Sequence, residues 1–243
     1  DIEVINLELI LADLQTVTKR IGNLNKEVKK GDKDAVFEQE TLSKLEKVLQ
    51  DGKLVSSFEV SEKEIAVIRL LNFLTIKPIL YVLNKKDGGK NLDEMNDDRY
   101  QKLMDFLNSS GSKWVLVDAG IEEELKDLSV EEKKEFRDGL AGVEDDGIDN
   151  LIKKGYELLN LITYFTTGED ETRAWTIVNG WTAPMAGTAI HNDFKDKFIR
   201  AEVINWRDLL DAGSYAKARE KGLVRTEGKE YVVKDGDVIE FKI

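Results

Sequence analysis

The first fifty residues place apolar side chains at alternating steps of four and three. The first series is Ile10, Leu14, Val17, Ile21, Leu24 and Val28, and the second is Leu42, Leu45 and Leu49. This spacing is the heptad seam of a coiled coil. The segment KKGDKD (29–34) interrupts it with Gly and Asp, so the sequence predicts an antiparallel helical hairpin. Lys and Glu flank the narrow seams and favour a protruding arm. The alternative is a helix pair packed in an ordinary core.

The next segments alternate between helical and strand-like patterns. SEKEIAVIRLLNFLT (61–75) predicts an amphipathic helix, with Ser61 as N-cap and Glu64 completing a capping box. After Pro78, the continuous apolar run ILYVL predicts a strand buried on both faces. A helix at about 92–108, a second buried strand in KWVLVDAG and a helical pattern to about residue 160 follow. This order predicts an α/β unit with a parallel sheet.

The pattern changes near residue 160 to short β-rich stretches separated by turns. These stretches are RAWTIV (173–178), KFIRAEVI (197–204) and EYVVKDGDVIEFKI (230–243), with the helical segment WRDLLDAGSYAKAREKG (206–222) between them. The sequence therefore predicts a small α+β domain at its C-terminal end.

Charge and composition exclude several classes of protein. The net charge of −12 argues against a non-specific nucleic-acid or membrane binder, although a local basic face is compatible with it. The absence of cysteine excludes disulfides and thiolate catalysis, and a single histidine argues against a histidine-rich metal site. No apolar run approaches the roughly 18 residues of a membrane span and no signal-peptide pattern is present, so we expect a cytoplasmic protein.

The predicted strand ILYVL runs directly into Asn84-Lys85-Lys86-Asp87. In nucleotide-binding α/β domains, a loop of the form Asn-Lys-x-Asp at the carboxyl end of a strand contacts the base. The Asn amide can bond the purine edge, the Lys stem can lie along the base, and the Asp carboxylate can accept two hydrogen bonds from guanine. The alternative is a simple turn, because Asn, Asp and Gly all favour turns.

A purine nucleotide also needs a group that holds its phosphates. None of the 18 glycines lies in G-x-x-x-x-G-K-[ST], and G-x-G-x-x-G is absent as well. The chain therefore carries at most half of a nucleotide site. It begins at Asp1 in what reads as the middle of a helix, without an N-cap, and we expect it to be a fragment of a longer protein.

Long strings in the last third resemble the end of the YchF proteins, the Obg-like ATPases. They are Arg173-Ala174-Trp175-Thr176, Ala183-Pro184, Ile190-His191, Asp193-Phe194, Phe198-Ile199-Arg200-Ala201-Glu202 and Asp235-Gly236-Asp237-Val238. The similarity continues through DIEVINLELILADL (1–14) and LLNFLTIKPILYVLN (70–84), so it covers essentially the whole chain.

The resemblance implies an α/β fold in three parts. Residues 1–15 and 70–160 would be the C-terminal half of a P-loop NTPase domain with a parallel sheet. Residues 16–69 would be an inserted helical coiled-coil arm, and residues 161–243 a small α+β, ubiquitin-like TGS domain. The P-loop, the switch regions and the Mg²⁺ ligands would lie upstream of Asp1.

The resemblance also implies ATP hydrolysis in preference to GTP, with Mg²⁺, in a protein that associates with the ribosome. Asn84 and Lys85 become candidates for contacting the purine, while Asp87 stands where the family usually has Glu and leaves the choice of nucleotide open. Ala119 and Gly120 could offer backbone amides to the base, although Asp118 replaces the serine that such nucleotide-binding domains usually have at this position. We expect these 243 residues alone neither to bind a nucleotide tightly nor to hydrolyse it.

Candidate contacts with rRNA or tRNA phosphates are the basic residues Arg173, Lys197, Arg200, Arg207 and Arg225. On an acidic chain they could equally belong to a salt-bridged surface. We assign no catalytic residue and no metal ligand, and we interpret His191 as structural or as part of a partner surface. The alternative function is a non-catalytic ribosome- or RNA-binding module whose nucleotide loop is a relic.

Overall fold

The computed structural model describes residues 2–86, 89–95, 97–139, 147–168 and 171–243. The chain divides into two compact units, residues 1–79 and 80–243. The finer division predicted from the sequence, at residues 15, 69 and 160, stays a prediction. None of the described helices combines the length and the apolar composition that crossing a bilayer requires.

The first unit contains the predicted helical hairpin. Its helices are α1 (Ile2–Lys29), α2 (Lys33–Gln50) and α3 (Glu62–Leu70), with a short 3-10 turn at Val55–Ser57. The seam residues form one core, in which Ile10, Val17, Leu24, Leu42, Leu45 and Leu49 are buried and Leu14, Ile21 and Val28 are half-buried against them. Arg20 on α1 and Glu38 on α2 form a two-pronged ion pair, with N–O distances of 2.6 and 2.8 Å. The prediction of a helical hairpin around a short turn is therefore confirmed, while its assignment as a coiled-coil arm stays a prediction.

The capping box predicted at the start of α3 is also confirmed. The hydroxyl of Ser61 accepts a hydrogen bond from the backbone N–H of Glu64, and the Glu64 carboxylate accepts one from the backbone N–H of Ser61. Lys44 on α2 donates to the same carboxylate at 2.8 Å. The cap thus joins α3 to the hairpin as well as starting the helix.

The second unit begins with alternating strands and helices. They are β1 (Leu80–Lys85), α4 (Asp98–Ser109), β2 (Lys113–Asp118), α5 (Ala119–Leu125), α6 (Val130–Gly139) and α7 (Gly147–Leu158). The two strands are parallel, as predicted, with Leu80 opposite Lys113 and Lys85 opposite Asp118. Helix α7 packs against β2, and the ring of Tyr81 on β1 meets that of Phe106 on α4 edge-to-face.

The prediction that the first strand is buried on both faces is wrong. Val82 is 46% exposed, and Asn84, two residues further on the same face, is exposed too. Within the described residues β1 has β2 as its hydrogen-bonded neighbour, and the face that carries Tyr81 and Leu83 is the better covered one. A continuous apolar run therefore does not by itself show that both faces of a strand are covered.

The second unit ends in a mixed five-stranded sheet with short helices. Its elements are β3 (Leu161–Thr167), β4 (Thr172–Val178), α8 (Ala183–Gly187), α9 (Asp193–Asp196), β5 (Arg200–Asn205), α10 (Trp206–Ala212), α11 (Tyr215–Glu220), β6 (Arg225–Glu227) and β7 (Asp237–Lys242). The strand order is β4-β3-β7-β5-β6, with β3 and β7 parallel and the other neighbours antiparallel. The predicted strands around β4, β5 and β7 and the predicted helical segment are confirmed, whereas β3 and β6 were not predicted.

The string Asp235-Gly236-Asp237-Val238 leads into β7 and is hydrogen-bonded to β3. Thr163 on β3 donates its backbone N–H to Asp235 and accepts the N–H of Gly236, each at 2.8 Å. Gly236 has a φ of +80°, and a Cβ placed on it would lie 2.6 Å from the ring of Trp206. Only glycine fits this position, because both the backbone conformation and the close ring exclude a side chain.

Candidate base-binding edge

The carboxyl ends of β1 and β2 meet at one edge of the parallel pair. Asn84 and Lys85 are the last residues of β1, Asp118 is the last of β2, and Ala119 begins α5. Lys85 lies directly opposite Asp118 in the register. Since ligands of parallel sheets bind beyond the carboxyl ends of the strands, this is the edge where a nucleotide base is expected.

The side chain of Asn84 bridges the two loops at this edge. Its Oδ1 accepts a hydrogen bond from the backbone N–H of Ala119 at 3.0 Å. Because a backbone N–H must face the amide oxygen, this contact fixes the orientation of the amide and leaves Nδ2 as the outward donor. Asn84 is exposed, so this NH₂ group can meet a ligand.

The two backbone amides proposed from the sequence as base contacts both have internal acceptors. The N–H of Ala119 donates to Asn84, and the N–H of Gly120 donates to the carboxylate of Asp118 at 3.0 Å. Asp118 also accepts from Ile121 at 3.1 Å, so it acts as the N-cap of α5. An aspartate caps a helix as well as a serine does, which is a local reason for its presence here.

Lys85 is held by two carboxylates from the loop that follows it. Its ammonium lies 2.9 Å from Asp93 Oδ2 and 2.6 Å from Glu94 Oε1. The hydrogen bonds that Lys85 donates to Glu94 and to Asp93 raise the pKa of Lys85, and the hydrogen bond from Lys85 lowers the pKa of Glu94. The lysine is therefore charged and tied back against its own loop, with its side chain 28% exposed.

Asn91 closes the same loop through the backbone. Its side-chain oxygen accepts the N–H of Lys86 at 2.9 Å, and its amide nitrogen donates to the carbonyl of Lys86 at 3.1 Å. The carbonyl of Lys86 also accepts the N–H of Gly89 at 2.9 Å. Asp87, the predicted carboxylate of the base-binding loop, lies outside the described residues.

Sequence reasoning missed Asn91, Asp93 and Glu94. They fall where a helix was predicted from about residue 92, whereas α4 begins at Asp98 with Asp97 as its N-cap. Acidic residues just before a helix resemble ordinary N-terminal helix residues. Only the folded loop reveals that two of these carboxylates face Lys85.

Three of the five predicted phosphate contacts form ion pairs within the chain. Arg173 pairs with Glu171 at 2.9 Å, and Lys197 pairs with Asp193 at 2.6 Å. Arg225 lies 3.2 Å from Glu227 and donates to the hydroxyl of Tyr231. These three belong to the salt-bridged surface that was the alternative interpretation.

The remaining two basic residues have no ion pair within the described part of the chain. Arg200 is exposed at the start of β5, and Arg207 lies over the ring of Trp206 at 5.1 Å. His191 is exposed as well, with its Nδ1 accepting the backbone N–H of Asp193 at 3.2 Å. Of the five candidates, Arg200 and Arg207 are thus the cations most available to a phosphate.

Comparison with known proteins agrees with this architecture. A family model named YchF-GTPase_C, described as "Protein of unknown function (DUF933)", matches residues 161–243. The "Ribosome-binding ATPase YchF" of Bacillus subtilis is 47% identical over 242 residues, which is 100% of this chain and 66% of that protein. The protein of the same name from Haemophilus influenzae is 42% identical over 242 residues, 100% of this chain and 65% of its own length.

A solved structure covers the whole chain. It is that of the Schizosaccharomyces pombe YchF GTPase, with a TM-score of 0.80 and 29% identity over 100% of this chain and 65% of that one. This chain belongs to the YchF family. It spans 65–66% of the length of the curated YchF relatives named above. The candidate edge described above therefore lies in a chain whose relatives are named as an ATPase and as a GTPase.

Proposed function

We propose that this chain supplies the base-binding side of a purine nucleotide site in a ribosome-associated, Obg-like switch protein that hydrolyses ATP. GTP is the alternative substrate. The observation that carries the proposal is the bridge from Asn84 Oδ1 to the N–H of Ala119, at the edge where parallel sheets bind ligands. The names of the longer relatives, ribosome-binding ATPases, support it.

The oriented amide of Asn84 suits a purine. Its Nδ2 group is a donor, and N7 of both adenine and guanine is an acceptor. This contact would therefore recognise a purine without distinguishing ATP from GTP. The residues present fit the base half of a nucleotide, and Lys85 adds a methylene stem beside the same edge.

The internal use of the Ala119 and Gly120 amides favours ATP. Guanine presents an acceptor oxygen at C6, and a backbone N–H is the usual type of donor for such an oxygen. Both amides are already bonded within the chain, to Asn84 and to Asp118. The contribution of Asp87 to this choice stays a prediction.

The phosphates and Mg²⁺ are assigned to residues other than these 243. In P-loop switches a bound metal ion would supply positive charge beside the phosphates, and the P-loop backbone and lysine would hold those phosphates. The matched relatives extend beyond the region that this chain covers, which leaves room for such a segment. Below, a longer protein that joins these residues to a G-x-x-x-x-G-K-[ST] segment is called the P-loop-containing protein.

The other parts of the chain would transmit the nucleotide state to a partner. The hairpin of α1 and α2 is proposed as the coiled-coil arm, and residues 161–243 as a ubiquitin-like TGS domain. The family model that begins at residue 161 and the mixed five-stranded sheet with short helices support the second assignment. Arg200 and Arg207 are proposed as contacts with rRNA phosphates, because no carboxylate of the described chain pairs with them.

The test is nucleotide binding by the P-loop-containing protein and its Asn84→Ala variant, measured with fluorescent ATP and GTP analogues. Loss of one hydrogen bond to the base should weaken both nucleotides about tenfold, which corresponds to about 1.4 kcal/mol. Asn108→Ala, at an exposed position on α4, is the matched control and should bind like the unsubstituted protein. Equal affinities for all three proteins would refute a base contact by Asn84.

A second measurement separates the switch from the non-catalytic module. We expect no ATP or GTP turnover by the 243 residues alone, and turnover by the P-loop-containing protein. If the 243 residues pelleted with ribosomes while the P-loop-containing protein neither bound nor hydrolysed nucleotide, the binding-module function would be the correct one.

A further inference from the structure

The loop after β1 is closed by two sets of contacts that converge on adjacent residues. Asp93 and Glu94 hold the ammonium of Lys85, at 2.9 and 2.6 Å. Asn91 holds both backbone groups of Lys86, and Gly89 donates to the Lys86 carbonyl. Here Asn91, Asp93 and Glu94 are called the loop clamp.

We propose that the loop clamp positions the base-binding loop, and that Asp93 and Glu94 are positioning residues which fix the stem of Lys85 as a floor for the purine. This inference rests on the proposed nucleotide function. Held in this way, the ammonium of Lys85 is already bonded to two carboxylates, so its contribution to a ligand is the methylene stem. A lysine stem covers apolar or flat surface well while its charged end is bonded elsewhere.

The geometry distinguishes this role from a chance surface pair. An isolated exposed ion pair contributes little, because solvent and salt screen it. Here the lysine bonds two carboxylates, its side chain is 28% exposed and that of Asp93 only 23%. The clamp residue Asn91 also bonds the carboxylate of Glu94, so the backbone and side-chain contacts form one network. A network of this kind fixes a loop better than separate pairs do.

The position of Lys85 matters because this residue lies at the edge where the base is expected. Its ammonium is bonded to Asp93 and Glu94, and the next residue, Lys86, is bonded through both of its backbone groups to Asn91. Holding the stem of Lys85 in place before a ligand binds reduces the entropy that is lost on binding, so the clamp should raise nucleotide affinity without touching the phosphates.

The central test is the double variant Asp93→Asn/Glu94→Gln in the P-loop-containing protein. We expect the Kd for ATP and for GTP to rise about tenfold and kcat at saturating nucleotide to stay unchanged, because the base is bound away from the reacting phosphate. Glu124→Gln/Asp127→Asn removes the same charge from two exposed positions in and just after α5 and is the matched control. An unchanged Kd in the first double variant, or an equal rise in the control, would overturn the inference.

A double-mutant cycle separates positioning from general stability. Lys85→Met keeps most of the stem but removes the ammonium, so it should also weaken binding. In the Lys85→Met background, Asp93→Asn/Glu94→Gln should weaken binding no further, because the clamp has lost its partner. A full additional loss in that background would show that the carboxylates act through something other than Lys85.

Amide hydrogen exchange of the 243-residue chain tests the clamp without any nucleotide. The double variant should exchange faster at residues 84–95 and at the control rate elsewhere, with an unchanged thermal midpoint. Faster exchange with unchanged nucleotide affinity, while Asn84→Ala still weakens binding, would overturn the inference and leave the proposed function standing. If Asn84→Ala has no effect either, the proposed function itself fails.

Discussion

At the scale of single residues, buried Asp13 joins two segments that lie 61 residues apart along the chain. It is 3% exposed, and its carboxylate accepts the N–H of Leu74, the N–H of Thr75 and the hydroxyl of Thr75 at 2.7–2.8 Å. The same hydroxyl accepts the N–H of Val55. A charged residue next to the heptad seam is thus a structural connection between α1 and the end of the first unit.

Replacing Asp13 with Ala leaves three donors without an acceptor, and two of them belong to the buried residue Thr75. We expect the free energy of unfolding to fall by about 3–5 kcal/mol, because each unpaired buried donor costs about 1–3 kcal/mol. Urea denaturation measures this, and Glu8→Ala, an exposed position on the same helix, should change stability by less than about 0.5 kcal/mol. A loss below about 1 kcal/mol for Asp13→Ala would show that water replaces the carboxylate.

At the scale of elements, local patterns succeeded where an element is defined by its own residues. The seam of α1 and α2 and the capping box of α3 depend on spacings of three and four residues, and both are confirmed. Strand β3 was not predicted because it follows α7 after a two-residue turn. The run of apolar residues that ends α7 continues into β3, so the sequence shows no clear boundary between them. Its place in the sheet depends on β7, with Phe165 opposite Val238 far along the chain.

The capping box makes a pH-dependent contribution to the first unit. Hydrogen bonds from Lys44, then from the backbone and hydroxyl of Ser61, lower the pKa of Glu64 from 4.5 to about 2. Because the folded pKa lies below the ordinary value, folding favours the carboxylate. Its contribution is complete above about pH 4.5 and is lost as the pH falls to about 2.

Glu64→Gln should therefore lower stability at pH 7 and weaken the loss of stability between pH 4.5 and 2. Urea denaturation at a series of pH values measures both effects. Glu62→Gln, an exposed neighbour in the first turn of α3, is the matched control and should retain the full acid sensitivity. A Glu64→Gln variant with the same acid profile as the unsubstituted chain would contradict the assignment.

At the scale of the whole molecule, a net charge of −12 coexists with a proposed partner rich in phosphate. The overall electrostatic attraction between the chain and this partner is therefore weak. Binding to the partner must depend on local cations that are not already paired with carboxylates. Among the described residues Arg200 and Arg207 form no ion pair, although Arg200 contributes to lowering the pKa of Glu202, whereas Arg173 and Lys197 are paired with carboxylates. The distinction comes from the folded chain, since all four residues look alike in the sequence.

Co-sedimentation with ribosomes across a salt series tests this distinction. We expect Arg200→Ala/Arg207→Ala to reduce pelleting several-fold and to lower the salt dependence, by about one in log–log slope for each lost phosphate contact. Arg173→Ala/Lys197→Ala removes the same charge from paired positions and should have a smaller effect. The reverse ranking would mean that the paired cations, after giving up their carboxylates, are the ones that meet the ribosome.

The sequence by itself determined the helical hairpin, the parallel α/β unit, the change of pattern near residue 160 and the Asn84–Lys85 motif at a strand end. Each of these depends on a short-range spacing or a contiguous string. Only the tertiary structure decided that Asn84 bonds Ala119, that Asp93 and Glu94 hold Lys85, and that Val82 and Asn84 on one face of β1 are exposed. These facts depend on which distant segments come together, and a pattern of neighbouring residues does not encode that.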